Sequence, residues 1–170
     1  MAIRRLHTID AQQLAALAAL LQDSVHGGAS VGFLAPLPHA EAHAYWQGVA
    51  TALGPLLYCW VAEEHGQIIG CVQLALCGKA NGRHRGEIQK LMVHSSARGR
   101  GLARQLMQAA ETAALTAGCS TLVLDTDSGS AAAQLYPRLG WQHAGDIPAY
   151  AASPDGQLHA TRYFYKLLPA

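Results

Sequence analysis

The stretch of the sequence with the clearest chemical potential is rich in glycine and arginine. It consists of Arg98, Gly99, Arg100 and Gly101, followed by Leu102, Ala103 and Arg104. A helical pattern follows this stretch, and the free N–H groups at a helix start, at the positive end of the helix dipole, bind anions. Glycines let a phosphate approach the backbone closely, and arginines add positive charge. The pattern therefore predicts a helix whose first turn is residues 98–101 and which binds a phosphorylated ligand there.

Two common phosphate motifs fit this stretch less well. In a dinucleotide motif G-x-G-x-x-G beginning at Gly99, the third glycine position holds Arg104. No G-x-x-x-x-G-K-[ST] sequence occurs either. A strand-to-helix turn without a ligand is the simpler alternative at this point.

A carboxylate follows a short apolar strand later in the chain. Asp125 ends the run Thr121–Leu124, and ligands of parallel sheets collect at the carboxyl ends of the strands. Asp125 is therefore a candidate ligand-binding group. Alternatively, it caps the turn that follows through Asp127–Gly129.

Composition narrows the class of protein. The chain has 170 residues, of which 51% are hydrophobic and 14% charged, with a formal net charge of +1. This predicts one compact domain over residues 1–170, with no electrostatic attraction to nucleic acid or to a membrane surface. No apolar run is long enough for a bilayer and no signal peptide is evident, so a cytoplasmic location is expected. The four cysteines and nine histidines form no zinc-binding motif, so buried thiols and no metal are expected.

Strand and helix signals alternate along the chain and must position these groups. Asp10 and Gln13 form a predicted capping box before the first helix. Antiparallel hairpins flank a central strand–helix–strand–helix unit, which predicts a mixed α/β sheet. The remaining predicted elements are the strands Ile3–Leu6, Leu56–Ala62, Gln67–Leu76, Glu87–Val93, Thr121–Asp125 and His159–Leu167, and the helices His39–Leu53 and Ser130–Leu139.

Two ordered motifs resemble those of the GNAT superfamily of N-acetyltransferases. Arg98-x-x-Gly101-x-Ala103 matches the acyl-CoA motif [QR]-x-x-G-x-[GA], and Leu91, Met92 and Val93 match the strand before it. The later Ala132-x-x-Leu135-Tyr136-x-x-x-Gly140-Trp141 is similar to the second motif of the family. The resemblance implies the GNAT fold: a mixed, mostly antiparallel sheet of about six or seven strands with about four helices, splayed around a CoA site.

The resemblance also implies roles for individual residues. Acetyl-CoA is the implied cosubstrate, with its diphosphate on the amides of Arg98 to Ala103 and its pantetheine arm on the backbone of Val93. The N–H of Leu91 is the implied oxyanion donor. Strand alternation places Glu87, Gln89, Leu91 and Val93 on one side, and Glu87 is the implied general base, with Asp125 binding the amine or sharing that role.

Tyr136 matches the family tyrosine that acts as general acid to the departing thiolate. Structural alternatives stay open for each of these groups. Glu87 could pair with Lys90 or Arg85, and Tyr136 could be a packing residue. Pro137 directly after Tyr136 predicts either a kinked helix or a different direction for the tyrosine. Gly129 stands where many relatives carry a cofactor-binding asparagine, so that contact is not expected.

The glycine-rich loop His26–Phe33 is the predicted acceptor-binding segment. His26, Ser30 and Phe33 are the candidate contacts, with Trp46 as a second apolar wall. This loop is similar to that of GNAT enzymes that inactivate a toxin, which implies a small-molecule amine as the acceptor and a role in toxin or antibiotic resistance. A homodimer is compatible with the resemblance. A non-catalytic acetyl-CoA sensor and a protein N-acetyltransferase are the alternatives.

Overall fold

The computed structural model describes residues 1–169, which form one seven-stranded sheet and four α-helices. The mixed, mostly antiparallel sheet predicted from the sequence is confirmed, since β4 and β5 are the one parallel pair among the described strands. The strand order across the sheet is β1-β2-β3-β4-β5-β7-β6. The elements in chain order are β1 (Ala2–Leu6), α1 (Ala11–His26), α2 (His39–Ala52), β2 (Leu57–Glu64), β3 (Gln67–Leu76), β4 (Arg85–Val93), α3 (Leu102–Thr116), β5 (Thr121–Asp127), α4 (Ala131–Arg138), β6 (Gln142–Ala152) and β7 (Leu158–Leu167).

Helix α1 begins at the predicted capping box. The Asp10 carboxylate accepts from the Gln13 N–H at 2.8 Å, and the Gln13 amide oxygen accepts from the Asp10 N–H at 3.0 Å. These bonds satisfy two donors that a helix start leaves free. The apolar face of α1, which includes Leu17 and Leu21, is fully buried against the sheet.

The sheet is covered on both faces, and each face has its own hydrophobic core. Helices α1 and α2 pack on one face with Cys59, Val61 and Met92, in what we call the α1–α2 core. Helices α3 and α4 pack on the other face with Ile88, Leu122 and Phe164, in what we call the α3–α4 core. The middle residues of β2 and β3 are therefore buried on both faces, which explains the nearly continuous apolar sequences of these two strands.

Helix α3 begins later than the sequence predicted. It starts at Leu102, and a short 3-10 turn over Ser95–Ala97 precedes the loop of residues 98–101. Gly99 and Gly101 have φ of 75° and 77°, values that no right-handed helix contains. The prediction that residues 98–101 form the first helical turn was wrong, because the same glycines that suit a phosphate also adopt left-handed conformations.

Helix α4 ends one residue after its proline. Pro137 is followed by Arg138, the last helical residue, and the N–H groups of Leu139 and Trp141 both donate to the Tyr136 carbonyl, at 2.9 and 3.1 Å. The missing N–H of proline therefore falls at the end of the helix, where the chain leaves it anyway.

Strands β4 and β5 pair with each other over only three residues each. Arg85–Glu87 pairs in parallel with Thr121–Val123, and no pair follows in the described register. Beyond that point the strands separate, and a cleft opens in the middle of the sheet. The carboxyl-terminal halves of β4 and β5 form its two sides.

Candidate active site

The cleft between β4 and β5 brings together most of the residues expected to do chemistry. It has a volume of about 400 Å³. The α1–α2 loop and the β6–β7 pair close its remaining sides, and the Ala35 N–H of that loop donates to the Pro154 carbonyl at 2.9 Å. Its polar and aromatic lining includes Ser30, Glu87, Lys90, Asp125, Asp127, Ser130, Tyr136, Tyr150, His159 and Thr161.

A bulge in β4 changes which way its residues face. The β3–β4 register shifts between Cys71 and Gln73, leaving one extra residue in β4, and Lys90 there has φ of 50°. Leu91 packs against the α3–α4 core together with Ile88. The prediction that Glu87, Gln89, Leu91 and Val93 share one side was therefore wrong, because a bulge shifts the alternation by one residue. Glu87 and Leu91 still line the same cleft, since it opens between the strands.

The two carboxylates of the predicted site are both exposed to the cleft. Glu87 accepts a hydrogen bond from the Gln89 side-chain amide at 2.9 Å. Asp125 accepts one from the Thr161 hydroxyl at 2.7 Å. Neither forms an ion pair with a described cation, so the alternative that Glu87 pairs with Lys90 or Arg85 is wrong.

Asp127, and not Asp125, caps the turn after β5. Its carboxylate accepts from the Gly129 N–H at 2.8 Å, from the Ser153 hydroxyl at 3.2 Å and lies 3.1 Å from the His159 ring. The alternative role considered for Asp125 therefore belongs to its neighbour two residues on. The Asp125 carboxylate accepts one side-chain hydrogen bond, from Thr161, and its other oxygen is available to a ligand.

Tyr136 packs against aromatic residues of the α3–α4 core and also lines the cleft. Its ring centroid lies 5.5 Å from that of Phe164 and 6.1 Å from that of Trp141, and only 5% of the residue is exposed. Burial raises the pKa of its phenol well above the usual range, and the charge of Asp125 acts in the same direction. The phenol therefore stays protonated at neutral pH and can donate a proton or a hydrogen bond into the cleft.

The loop before α3 leaves its backbone open to an anion. A Cβ atom added at Gly99 or Gly101 would meet no other atom within 4 Å, and both residues are exposed. Arg104 is also exposed at the start of α3. The side chains of Met92 and Leu102 are buried in the two cores, so only their backbones can contact a cofactor.

Two of the predicted phosphate-binding arginines are already engaged. Arg100 forms a bidentate pair with Glu64, with N–O distances of 3.0 and 2.5 Å. Arg98 donates from Nε to the Val93 carbonyl at 3.2 Å. The structure thus directs the Arg100 charge toward the end of β2, which differs from the predicted arrangement because Glu64 lies within its reach.

The acceptor loop contributes less to the cleft than the sequence suggested. Ser30 lines it, but His26 accepts from the Leu37 N–H at 3.1 Å and Phe33 packs edge-on against Tyr45 at 5.4 Å. Trp46 is 0% exposed within the α1–α2 core. The prediction of Trp46 as a wall was wrong, because its helix turns that face inward, and Phe33 is absent from the described lining.

Sequence reasoning missed several residues of the cleft lining, and Lys90, Thr161 and Tyr150 are three of them. Lys90 enters it through the bulge, and Thr161 enters through its pairing with β5. Tyr150 follows the positive-φ residue Ala149 in an irregular part of β6, and its hydroxyl lies 2.9 Å from that of Tyr163. That hydrogen bond and burial raise the pKa of Tyr163 to about 12. Irregular strands and non-local pairing leave little local signal, so no pattern pointed to these residues.

No group of three or more metal-ligating side chains occurs within residues 1–169. The described helices also include none with the length and apolarity needed to cross a membrane.

Residues 25–141 match the sequence model of the acetyltransferase (GNAT) family. Solved structures share the fold. One is an N-acetyltransferase from Staphylococcus aureus Mu50, with 21% identity and a TM-score of 0.80 over 99% of this chain and 100% of that one. A protein from Salmonella typhimurium solved with its cofactor acetyl-CoA has 22% identity and a TM-score of 0.79 over 100% and 95%. The ribosomal-protein-alanine N-acetyltransferase from Brucella melitensis has 22% identity and a TM-score of 0.78 over 99% and 100%.

Proposed function

Because the chain belongs to the acetyltransferase (GNAT) family and is an acetyl-CoA-dependent acetyltransferase, we propose that it acetylates the amine of a small molecule in the β4–β5 cleft. The observation that carries this proposal is the convergence of Glu87, Asp125 and Tyr136 on one cleft beside the bulge of β4. Glu87 lies on β4, Asp125 on β5 and Tyr136 on α4, so three different elements contribute these side chains to the cleft lining.

The residues around the cleft fit acetyl-CoA. The left-handed glycines before α3 expose backbone N–H groups to a diphosphate, in the proposed cofactor segment Arg98–Arg104. Lys90 and Leu91 have no partner in the β3 register, which supports a role for the Leu91 N–H as an oxyanion donor. Acetyl-CoA supplies a thioester, whose acyl carbon is open to attack by an amine.

The amine must lose a proton before it can attack. Glu87 is the proposed base, acting directly or through a water, and the Gln89 amide orients its carboxylate. Asp125 is the proposed ammonium-binding group, and Thr161 holds one of its oxygens. Tyr136 keeps its phenolic proton at neutral pH and is proposed to supply it to the leaving group.

The loop between α1 and α2 carries the observations that bear on the acceptor. The resemblance of the His26–Phe33 loop to that of the tabtoxin resistance protein favours a toxin such as tabtoxinine-β-lactam. Of the three candidate contacts in this loop, Ser30 lines the cleft, while His26 and Phe33 contact Leu37 and Tyr45 outside it. The cleft volume of about 400 Å³ accommodates a metabolite-sized molecule.

A panel of acceptors tests this proposal. Thiol release from acetyl-CoA should be accelerated by at least one small amine among amino acids, polyamines and tabtoxinine-β-lactam, and the product should be its N-acetyl derivative by mass spectrometry. Turnover with peptides alone would favour a protein N-acetyltransferase. Tight binding of acetyl-CoA without turnover of any acceptor would favour a sensor, and either result would overturn the proposal.

A further inference from the structure

Lys90 stands in the cleft in an unusual backbone conformation. Its φ of 50° lies in the left-handed region, which costs a residue with a side chain on the order of 1 kcal/mol. The conformation comes with the bulge, and it places the Lys90 side chain among the cleft-lining residues. A lysine at a strained, half-buried position calls for a specific use of its charge.

The ammonium of Lys90 has neighbours but no direct ion partner. It lies 5.5 Å from the centroid of the Tyr45 ring, and a Cβ added to Gly32 would come within 3.7 Å of it. Among residues 1–169, no carboxylate oxygen lies within 4.0 Å of it. The half-buried Lys166 contrasts with it, because that ammonium is 2.7 Å from Glu111 and 2.8 Å from the Leu139 carbonyl.

Burial of an unpaired cation is costly. Burial lowers the pKa of Lys90, and the nearby negative charges of Asp125 and Glu87 act against that effect. Partly buried charges are normally paired with a counter-ion. Since no described side chain fills that role, a ligand in the cleft is the natural partner.

We propose that Lys90 binds an anionic group of the acceptor, so that the acceptor is an amino acid or another molecule carrying both an amine and a carboxylate. This inference rests on the proposed function, because it assigns the amine to Glu87 and Asp125. A zwitterion then meets complementary charges, with its ammonium at the two carboxylates and its carboxylate at Lys90. Asp127 does not compete for Lys90, since it already holds Gly129, Ser153 and His159.

Pairs of acceptors that differ only in their carboxylate distinguish binding of that carboxylate by Lys90 from a role of Lys90 in balancing the charges of Glu87 and Asp125. We compare L-lysine, L-lysinamide and cadaverine, together with any other amino acid that the acceptor panel identifies and its own carboxamide. In the Lys90→Met variant, the KM for the amino acid should rise about 10- to 100-fold, the typical effect of losing a charge-assisted hydrogen bond. The KM for the carboxamide or the decarboxylated amine should change by less than about threefold.

Two further variants serve as controls for the Lys90→Met result. Lys90→Arg retains the charge and should restore discrimination between amino acid and carboxamide to within about tenfold of wild type. Lys79→Met removes an exposed lysine outside the cleft and should leave every KM unchanged. Thermal unfolding of all three variants shows whether the bulge tolerates the substitution.

Several results would overturn the proposal. An equal loss for amino acid and carboxamide would mean that Lys90 only balances charge, and turnover limited to amines without an anionic group would exclude the acceptor class. In both cases the proposed function still stands. Without turnover of any acceptor the proposed function itself fails, and NMR titration of L-lysine against L-lysinamide then decides the Lys90 site, which is overturned if wild type and Lys90→Met bind both equally.

Discussion

The Tyr136 side chain meets the protein core at one end and the cleft at the other. Its ring contacts Phe164 and Trp141, while its phenol lies among the cleft residues near Asp125. The motif A-x-x-L-Y in the sequence was sufficient to single out this residue. The motif could not indicate that this cleft residue also packs in the core, because that packing depends on Phe164 from the distant strand β7.

Substitution Tyr136→Phe removes the proton and keeps the packing. We expect kcat to fall by about 10² or more, the usual contribution of a general acid, with acetyl-CoA affinity nearly unchanged. Tyr165→Phe is the control, since that hydroxyl bonds to Gln142 away from the cleft. A normal kcat in Tyr136→Phe would contradict the assignment, and calorimetry with steady-state kinetics provides both measurements.

The raised pKa of Tyr136 predicts a specific result in a pH titration of the tyrosines. Because the folded pKa exceeds the unfolded value, the phenol's contribution to stability is complete below about pH 10 and is lost as the pH rises above it. The absorbance titration of Tyr136→Phe at the tyrosinate band should therefore match wild type up to about pH 11. Loss of a titration step below that pH would show that the phenol ionises normally.

At the scale of elements, the bulge in β4 shapes the lining of the cleft, and the loop before α3 exposes the backbone of Gly99 and Gly101. The sequence predicted strand β4 and helix α3, but it misplaced the start of the helix and missed the bulge that shifts the strand alternation. The sequence alone does not show whether a glycine is the first residue of a helix or adopts a left-handed conformation before it. The bulge in β4 depends on how this strand pairs with β3, which the local sequence does not specify. Lys90 was missed for the same reason.

Substitution Gly101→Asp tests the loop as the diphosphate site. A carboxylate beside the exposed backbone N–H groups should weaken acetyl-CoA binding by more than about 100-fold, through repulsion of the phosphates and strain at positive φ. Gly118→Asp is a matched control, because Gly118 has φ of 85° and equally open space at the other end of α3. It should lose similar stability but keep the affinity, and equal affinities in the two variants by calorimetry would place the diphosphate elsewhere.

At the scale of the whole molecule, separated parts of the chain enclose the cleft. The α1–α2 loop reaches the β6–β7 turn through the bond from Ala35 to Pro154, and two cores hold the sheet from opposite faces. Local patterns predicted nearly all of the elements, because caps, turns and periodicity are local. They could not predict contacts between residues more than a hundred positions apart, and so could not show which loop residues line the cleft. A homodimer and a cytoplasmic location stay predictions.

The kcat of the Glu87→Gln variant, with acetyl-CoA and the best acceptor at saturation, tests most directly whether transfer takes place in the β4–β5 cleft. Glutamine keeps the shape of Glu87 but cannot take a proton, so kcat should fall by about 10²–10⁴ while acetyl-CoA affinity stays at the wild-type value. Glu41→Gln, which changes an exposed glutamate of α2, should retain full activity. A wild-type kcat and pH–rate profile in Glu87→Gln would contradict the account.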